Sequence, residues 1–362
     1  MATSYQDLAD NIRNKQNQRK LEMERSHNNN DEYQKPRIDG NGFERSASFN
    51  FELYNSIMSD YLVVLARRAT RWQKLWPSSN QRQPKRSATI KRYIRKGVPD
   101  GVRKQVWMFA SGADKLMKQN KGVYRNLLSK ADNADVISSV EKDLFRTYPD
   151  NIHFRRDSDD SKCEQLYDVL IVYGHYNKGV GYCQGLNYIA AMLLLVIKDE
   201  ESTFWLLVAL TMNLLPNYYS KGLNDLIVDQ AVFDKLLSKK LPDLHAHLKS
   251  HGVDVPLFAT KWFICLFADV LPSETVLRLW DAFFYEGSKI IFRAALTIMI
   301  KLDERLRSKD DLASILEIFK SIAELPEFLN CHQFIAAIFE IPNPLSMDTI
   351  KQLRQECAKP SN

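Results

Sequence analysis

From residue 90 onward the apolar residues of this chain recur with a period near 3.6, and that pattern limits the fold to packed helices. In DLASILEIFKSIAELPEF (311–328), Leu312, Ile315, Leu316, Phe319 and Ile322 fall on one stripe, and Pro326 closes it. Similar stripes run through CEQLYDVLIVYGHY (163–176), DQAVFDKLLSKKLPDLHAHL (229–248) and IIFRAALTIMIKLDERL (290–306). No alternating run long enough for a half-buried strand interrupts them, and no repeat of roughly 30–45 residues is visible. The fold expected is all-α, an irregular multi-helix domain over residues 90–345 whose helices are too unequal for a solenoid.

The two most apolar segments, LNYIAAMLLLVI (186–197) and TFWLLVALTMNLLP (203–216), are separated by the charged KDEES. Each is shorter than the roughly 18–20 apolar residues that a bilayer crossing needs, so both read as buried helices and no transmembrane segment is expected.

Outside the domain the pattern changes. Residues 1–50, with NNN at 28–30 and interleaved charges, lack apolar periodicity and cannot offset their ordering entropy by burial; a disordered N-terminal tail is expected. The tail has no apolar h-region, so no secretory signal is expected. Residues 51–89 read as an apolar-periodic helix ending before Pro77, then a basic linker. Residues 346–362 read as a C-terminal tail. Arg82, Lys85, Arg86, Lys91, Arg92, Arg95 and Lys96 form a basic run that reads as a solvated linker.

Charge and cysteine usage exclude several classes. Lys and Arg number 50 against 44 Asp and Glu, a net charge of +6, too small for nucleic-acid binding by bulk electrostatics. Cys163, Cys183, Cys265, Cys331 and Cys357 contain no C-x-x-C pair, which favours reduced thiols and a cytoplasmic location. The chain lacks G-x-S-x-G, H-E-x-x-H and the dinucleotide-binding glycine fingerprint. In GHYNKGVG (174–181), Val180 stands where a phosphate loop requires lysine. His245, His247 and His251 have no carboxylate or thiolate at ligand spacing, and Gly252 behind them marks a helix C-terminus. Neither a metal nor a cofactor is expected.

Two short stretches remain. In VEKDLFRTYPDN (140–151), Asp143 and Arg146 share a helix face at i,i+3, and Pro149 disfavours helix at Tyr148, placing Arg146 in a last turn near an exposed loop. Taken alone, such a pair reads as a surface ion pair worth a few tenths of a kcal/mol. In GVGYCQGLNY (179–188), glycines bracket Gln184 immediately before the apolar helix. An arginine at an element end and a glutamine in a glycine-bounded loop, with no nucleotide site of their own, are what another protein's phosphoryl-transfer site lacks. Arginine spreads positive charge onto the γ-phosphoryl, and glutamine, both donor and acceptor, orients the attacking water.

At these residues the chain resembles the TBC domain of GTPase-activating proteins for Rab GTPases. VEKDLFRTYP matches the I-x-x-D-x-x-R arginine-finger motif, with Val140 in place of isoleucine, and GYCQGLNY matches the Y-x-Q glutamine-finger motif. RKGVPDGVRKQVW (95–107) and RLWDAFFYEGSKIIFRAAL (278–296) match two further family segments, so the resemblance spans roughly 90–330 in four segments in order. It implies an all-helical fold and a GTP-bound Rab-family GTPase as partner. It also implies a part in vesicle trafficking and a cytoplasmic location with only peripheral contact on endomembranes. Carried over, Arg146 stabilises transition-state charge and Asp143 holds it. Gln184 substitutes for the GTPase's own glutamine, Tyr182 supports the loop, and Gly181 and Gly185 leave room for the partner's backbone. Arg103, Trp107, Trp280 and Asp281 are assigned to core and scaffold. Two rivals stand beside this reading: a non-catalytic Rab-binding scaffold, and a nucleic-acid or phosphoinositide binder acting through residues 82–96.

Overall fold

The computed structural model describes residues 37–46, 49–76, 85–155, 158, 160–341 and 345–358. They fall into two compact units divided after Lys85. In the first, helix α1 (Phe51–Leu75) follows a compact turn. The Asp39 carboxylate accepts from the amides of Asn41 and Phe43 and pairs with Arg45 at 2.6 Å. The tail expected over 1–50 lies outside the described residues through position 36. From residue 37 the expectation is corrected, because one carboxylate satisfies several donors at once. The linker expected after α1 falls largely at 77–84, outside the described residues.

The second unit begins with α2 (Ala88–Lys96), α3 (Asp100–Ser111), α4 (Ala113–Gln119), α5 (Val123–Leu128) and α6 (Ala134–Leu144), followed by α7 (Cys163–Tyr176), α8 (Leu186–Ile197) and α9 (Glu200–Ala209). Helix α9 packs on α4, α7 and α8, and α6 lies along α7. The chain continues through α10 (Asn224–Lys240), α11 (Pro242–Ser250), α12 (Val255–Ile264), α13 (Ser273–Glu286) and α14 (Lys289–Arg307). It ends with α15 (Leu312–Lys320), α16 (Pro326–Leu329), α17 (Cys331–Glu340) and α18 (Met347–Cys357). Apart from isolated bridge residues such as the pair Ile38 and Glu44, the described residues contain no strand, so the fold is all-α. No helix among them is long and apolar enough to cross a membrane. The first strongly apolar segment is the interior helix α8; the second forms most of the buried α9 and then runs on through a π-helical turn (Leu210–Leu214) in which Met212 is exposed.

Helix α13 is the hub. It packs against α2, α3, α14 and α17, and every residue in it except Glu274 is buried. A helix buried all round must be apolar or pair every charge it carries. Asp281, fully buried, accepts from the Trp107 indole at 2.8 Å, the Val98 amide at 3.1 Å and Arg103 Nε at 3.3 Å. Arg278 donates to the Arg95 carbonyl at 3.0 Å. Arg103, Trp107, Trp280 and Asp281 thus form an interior polar knot beneath α2 and α3.

The basic run is tied to the same hub. Arg95 pairs with Glu286 at 2.5 Å and lies over the Phe339 ring, Lys91 reaches Glu286 at 3.2 Å, and Arg86 donates to the carbonyls of Ala110 and Tyr285. For Arg86, Lys91 and Arg95 this corrects the reading as a solvated linker, because the end of a buried helix offers them a carboxylate and carbonyls. Lys85, Arg92 and Lys96 are exposed, and Arg82 lies outside the described residues. Burial alone pushes the Glu286 carboxyl up, but hydrogen bonds and charge from Arg95 and Lys289 outweigh it and hold the group at about 2, below its ordinary 4.5. A carboxyl depressed in the folded state adds stability that is present above its ordinary value and lost as pH falls toward the folded one. The urea midpoint should therefore drop as pH falls from about 4.5 to about 2. Glu286→Gln should flatten that part of the curve; an unchanged acid limb in the variant would sink the assignment.

The expected C-terminal tail is also corrected. Helix α18 docks on α10, and Arg354 makes a two-pronged pair with buried Asp229 at 2.7 Å for each oxygen. A chain ending at residue 345 leaves that carboxylate buried without its cation, a change that strongly destabilises proteins.

Candidate functional site

Helix α6 stops at Leu144, and Arg146 lies two residues beyond it in a turn rather than in the helix itself. The stop has a local cause. Thr147 Oγ1 donates to the Asp143 carbonyl at 2.7 Å, taking the acceptor that a further helical turn would use. Pro149 excludes Tyr148 from the helical region, and Tyr148 adopts φ +49°, unusual for a bulky side chain. Its buried hydroxyl holds it there, its one proton shared between the carbonyls of Ala268 at 2.9 Å and Tyr188 at 3.3 Å.

The side chain of Arg146 is 51% exposed, while the Asp143 that holds it is buried. Arg146 Nε donates to Asp143 Oδ1 at 2.8 Å, and Nη2 forms the ion pair with the same oxygen at 2.6 Å. The hydrogen bond to Asp143 raises the guanidinium's pKa, so the group stays charged. Nη1 makes no hydrogen bond within the described residues. Asp143 Oδ2 accepts from the Tyr182 hydroxyl at 2.6 Å. Burial, and then that same hydrogen bond, push the Tyr182 phenol well up, keeping it a donor. One carboxylate therefore binds both sequence motifs, one oxygen to each.

The second motif is a loop between α7 and α8. Gly181 adopts φ +61° and donates its amide to the Asn177 carbonyl at 2.7 Å; Gly185 adopts φ +107°. Gln184 between them is exposed, and its side-chain amide makes no hydrogen bond within the described residues. A Cβ on Gly185 would lie 3.1 Å from the Ile264 carbonyl oxygen of the chain itself. The positive φ and this contact are reasons for glycine from within the chain itself. A Cβ on Gly174 would lie 2.6 Å from Val136, so this glycine lets α7 close on α6. GHYNKGVG therefore begins inside a packed helix and is no phosphate cradle. Neighbouring Cys183 is pushed up to about 11 by burial and by Asp143, leaving it a protonated thiol.

Sequence reasoning missed the interior links behind these two motifs. Asn187 and Tyr188, in the first turn of α8, both bond the segment after Arg146. Asn187 Nδ2 donates to Thr147 Oγ1 at 2.7 Å, and the Tyr188 hydroxyl donates to the Arg146 carbonyl at 3.1 Å. The available signal was Asn187 itself, an amide inside an otherwise apolar stretch. A cavity of about 400 Å³ opens beside these segments, lined by Glu141, Leu144, Phe145, Cys163, Glu164 and Tyr167.

The histidines lie elsewhere, and each has a protein partner: His245 with Asp234, His247 with the Lys309 carbonyl, His251 with the His247 carbonyl. No group of three or more His, Cys, Asp or Glu among the described residues could hold a metal ion.

Known proteins carry the same arrangement of chain. The Rab-GTPase-TBC domain family model matches residues 100–307. Growth hormone-regulated TBC protein 1 of Homo sapiens is 46% identical over 322 residues, covering 89% of this chain and 95% of that protein. Growth hormone-regulated TBC protein 1-A of Danio rerio is 45% identical over 320 residues, covering 88% and 89%. The flagellar RabGAP TBC domain of Chlamydomonas superposes with a TM-score of 0.71 at 30% identity, covering 84% of this chain and all of that domain (100%). The Ypt/Rab-GAP domain of Gyp1p shares the fold, with a TM-score of 0.66 at 18% identity over 76% of this chain and 97% of that domain.

Proposed function

This chain belongs to the Rab-GTPase-TBC domain family, and on that premise we propose that it stimulates GTP hydrolysis by a Rab-family GTPase, supplying Arg146 and Gln184 in trans. The observation that carries the reading is the Asp143 carboxylate, which steadies a half-exposed arginine through one oxygen and the glutamine loop through the other. Phosphoryl transfer passes through a loose transition state whose charge spreads over the equatorial oxygens, so catalysis is mostly positioning and electrostatic stabilisation. Arg146 places a permanent, planar positive charge against the γ-phosphoryl and the leaving oxygen. The Gln184 amide accepts a hydrogen bond from the attacking water with its oxygen and donates one to the phosphoryl with its nitrogen. Asp143 and Tyr182 act one step back by fixing where those two groups sit.

Because both groups act on the γ-phosphoryl, the partner form is GTP-bound, and a GDP-loaded GTPase should bind more weakly. The activity is assigned to the helical domain from residue 90 through α18, and the chain to the cytoplasm, reaching endomembranes peripherally through its GTPase. Membrane fractionation with and without that GTPase tests the last point. A non-catalytic scaffold has no use for a cation held beside a tyrosine-anchored loop. The deciding experiment incubates the purified chain with a panel of GTP-loaded Rab proteins and follows phosphate release. At least one should be strongly accelerated; binding without acceleration across the panel would favour the scaffold.

A further inference from the structure

We infer that Thr147 and Asn187 are positioning residues that lock the arginine-bearing and glutamine-bearing segments in one register, so that Arg146 and Gln184 meet a GTPase as a single rigid unit. The inference rests on the dual-finger reading above and extends it to residues that touch no substrate.

Asn187 is 0% exposed at the second position of α8, where its neighbours Leu186, Ile189, Ala190 and Ala191 are all buried and apolar. Burying an amide there is unfavourable unless both its ends are satisfied. They are satisfied across the two segments: Asn187 Oδ1 accepts from the Gly185 amide at 3.0 Å, and Nδ2 donates to Thr147 Oγ1 at 2.7 Å. Thr147 Oγ1, also buried, passes the connection on by donating to the Asp143 carbonyl at 2.7 Å. An unbroken chain of hydrogen bonds thus runs from the backbone directly after Gln184 to the backbone of the residue that grips Arg146. Tyr188 to the Arg146 carbonyl and Tyr148 to the Tyr188 carbonyl run beside it.

Such buried networks, fully satisfied, rigidify what they join. Rigidity matters here because the arginine and the glutamine act on the same γ-phosphoryl. A misplacement of one group by about an ångström costs on the order of 10²-fold in rate.

A network that only stabilises the fold would change melting temperature and nothing else, so the test reads hydrolysis. Single-turnover rates are measured with the full chain at saturation and with the GTPase that the panel identifies. Thr147→Val keeps the shape and removes the hydroxyl. It should lower the saturated rate about tenfold, the scale of one lost buried hydrogen bond, while affinity stays within about twofold. Thr147→Ser should restore most of the rate. In a Gln184→Ala background the same Thr147→Val change should cost less than about twofold, since residues acting as one unit are not additive. Should Thr147→Val fail to fold, Thr147→Ala is held to the same expectations. A saturated rate equal to wild type, or an equal penalty in both backgrounds, overturns the registration. If wild type gives no stimulation, or Arg146→Ala has no effect, the dual-finger reading fails and registration with it. If those two behave as expected while Thr147→Val is silent, registration alone fails.

Discussion

Arg146→Ala lowers the stimulated rate of GTP hydrolysis by about 10³–10⁵-fold, the range an arginine supplied in trans contributes to phosphoryl transfer, equivalent to roughly 4–7 kcal/mol of transition-state stabilisation. Arg146→Lys rescues little. Lysine keeps the charge but loses the planar fork, and under the proposed mechanism the fork has two tasks: Nε and Nη2 are engaged by Asp143, which leaves Nη1 to meet the phosphoryl group. A lysine ammonium held by Asp143 would have no second nitrogen to offer. Single-turnover phosphate release, with circular dichroism confirming that both variants are folded, checks the prediction. Losses below tenfold for both would remove the arginine-finger assignment.

The second large effect concerns which protein supplies the glutamine. Where an activator inserts only an arginine, changing the GTPase's own glutamine abolishes stimulated hydrolysis, because nothing else orients the water. With Gln184 supplied in trans the dependence reverses. A GTPase whose own glutamine is replaced by alanine should still be strongly stimulated by the wild-type chain. Gln184→Ala should lose about 10²–10³-fold even on an unaltered GTPase, the cost of misplacing a positioned reactant. The loss should fall on the saturated rate more than on affinity, since an amide that orients water acts chiefly in the transition state. Rates for the four pairings of wild-type and variant partners decide the matter. If the GTPase change kills stimulation and Gln184→Ala does not, the loop is a packing feature.

Some of this architecture could be read from residue order and some could not, for physical reasons. Helical period and proline position are local properties, so the helix with buried Ile315 and Phe319 and the break before Pro149 were visible as sequence. The stripe expected over 311–328 is shorter than its pattern, since the helix stops at Lys320, Leu312 is exposed and Pro326 opens α16 instead of closing α15. The i,i+3 spacing likewise placed Asp143 beside Arg146, and the structure sets the pair at hydrogen-bond distance. What stayed hidden depends on partners distant in the chain. Nothing near Arg95 announces Glu286, 191 residues away, nor does the C-terminal segment announce that Arg354 will seek Asp229 across 125. The internal demand on Gly185 was hidden for the same reason: the carbonyl it makes room for belongs to Ile264. Asn187 was legible as an oddity in an apolar run, but Thr147 as its partner was not.

The links that join the two motifs have a consequence for how the site comes into being. Tyr182 to Asp143 spans 39 residues, and Asn187 to Thr147 spans 40. Between them the chain must first form α7 and dock it on α6. Closing such loops costs chain entropy that only long-range packing repays, so these contacts belong to the later stages of assembly. Helix content can recover in a refolding chain while the arginine and glutamine still move independently. The proposed stimulating activity should then return only with the tertiary lock, which would make it a stricter gauge of native topology in this chain than any helical signal.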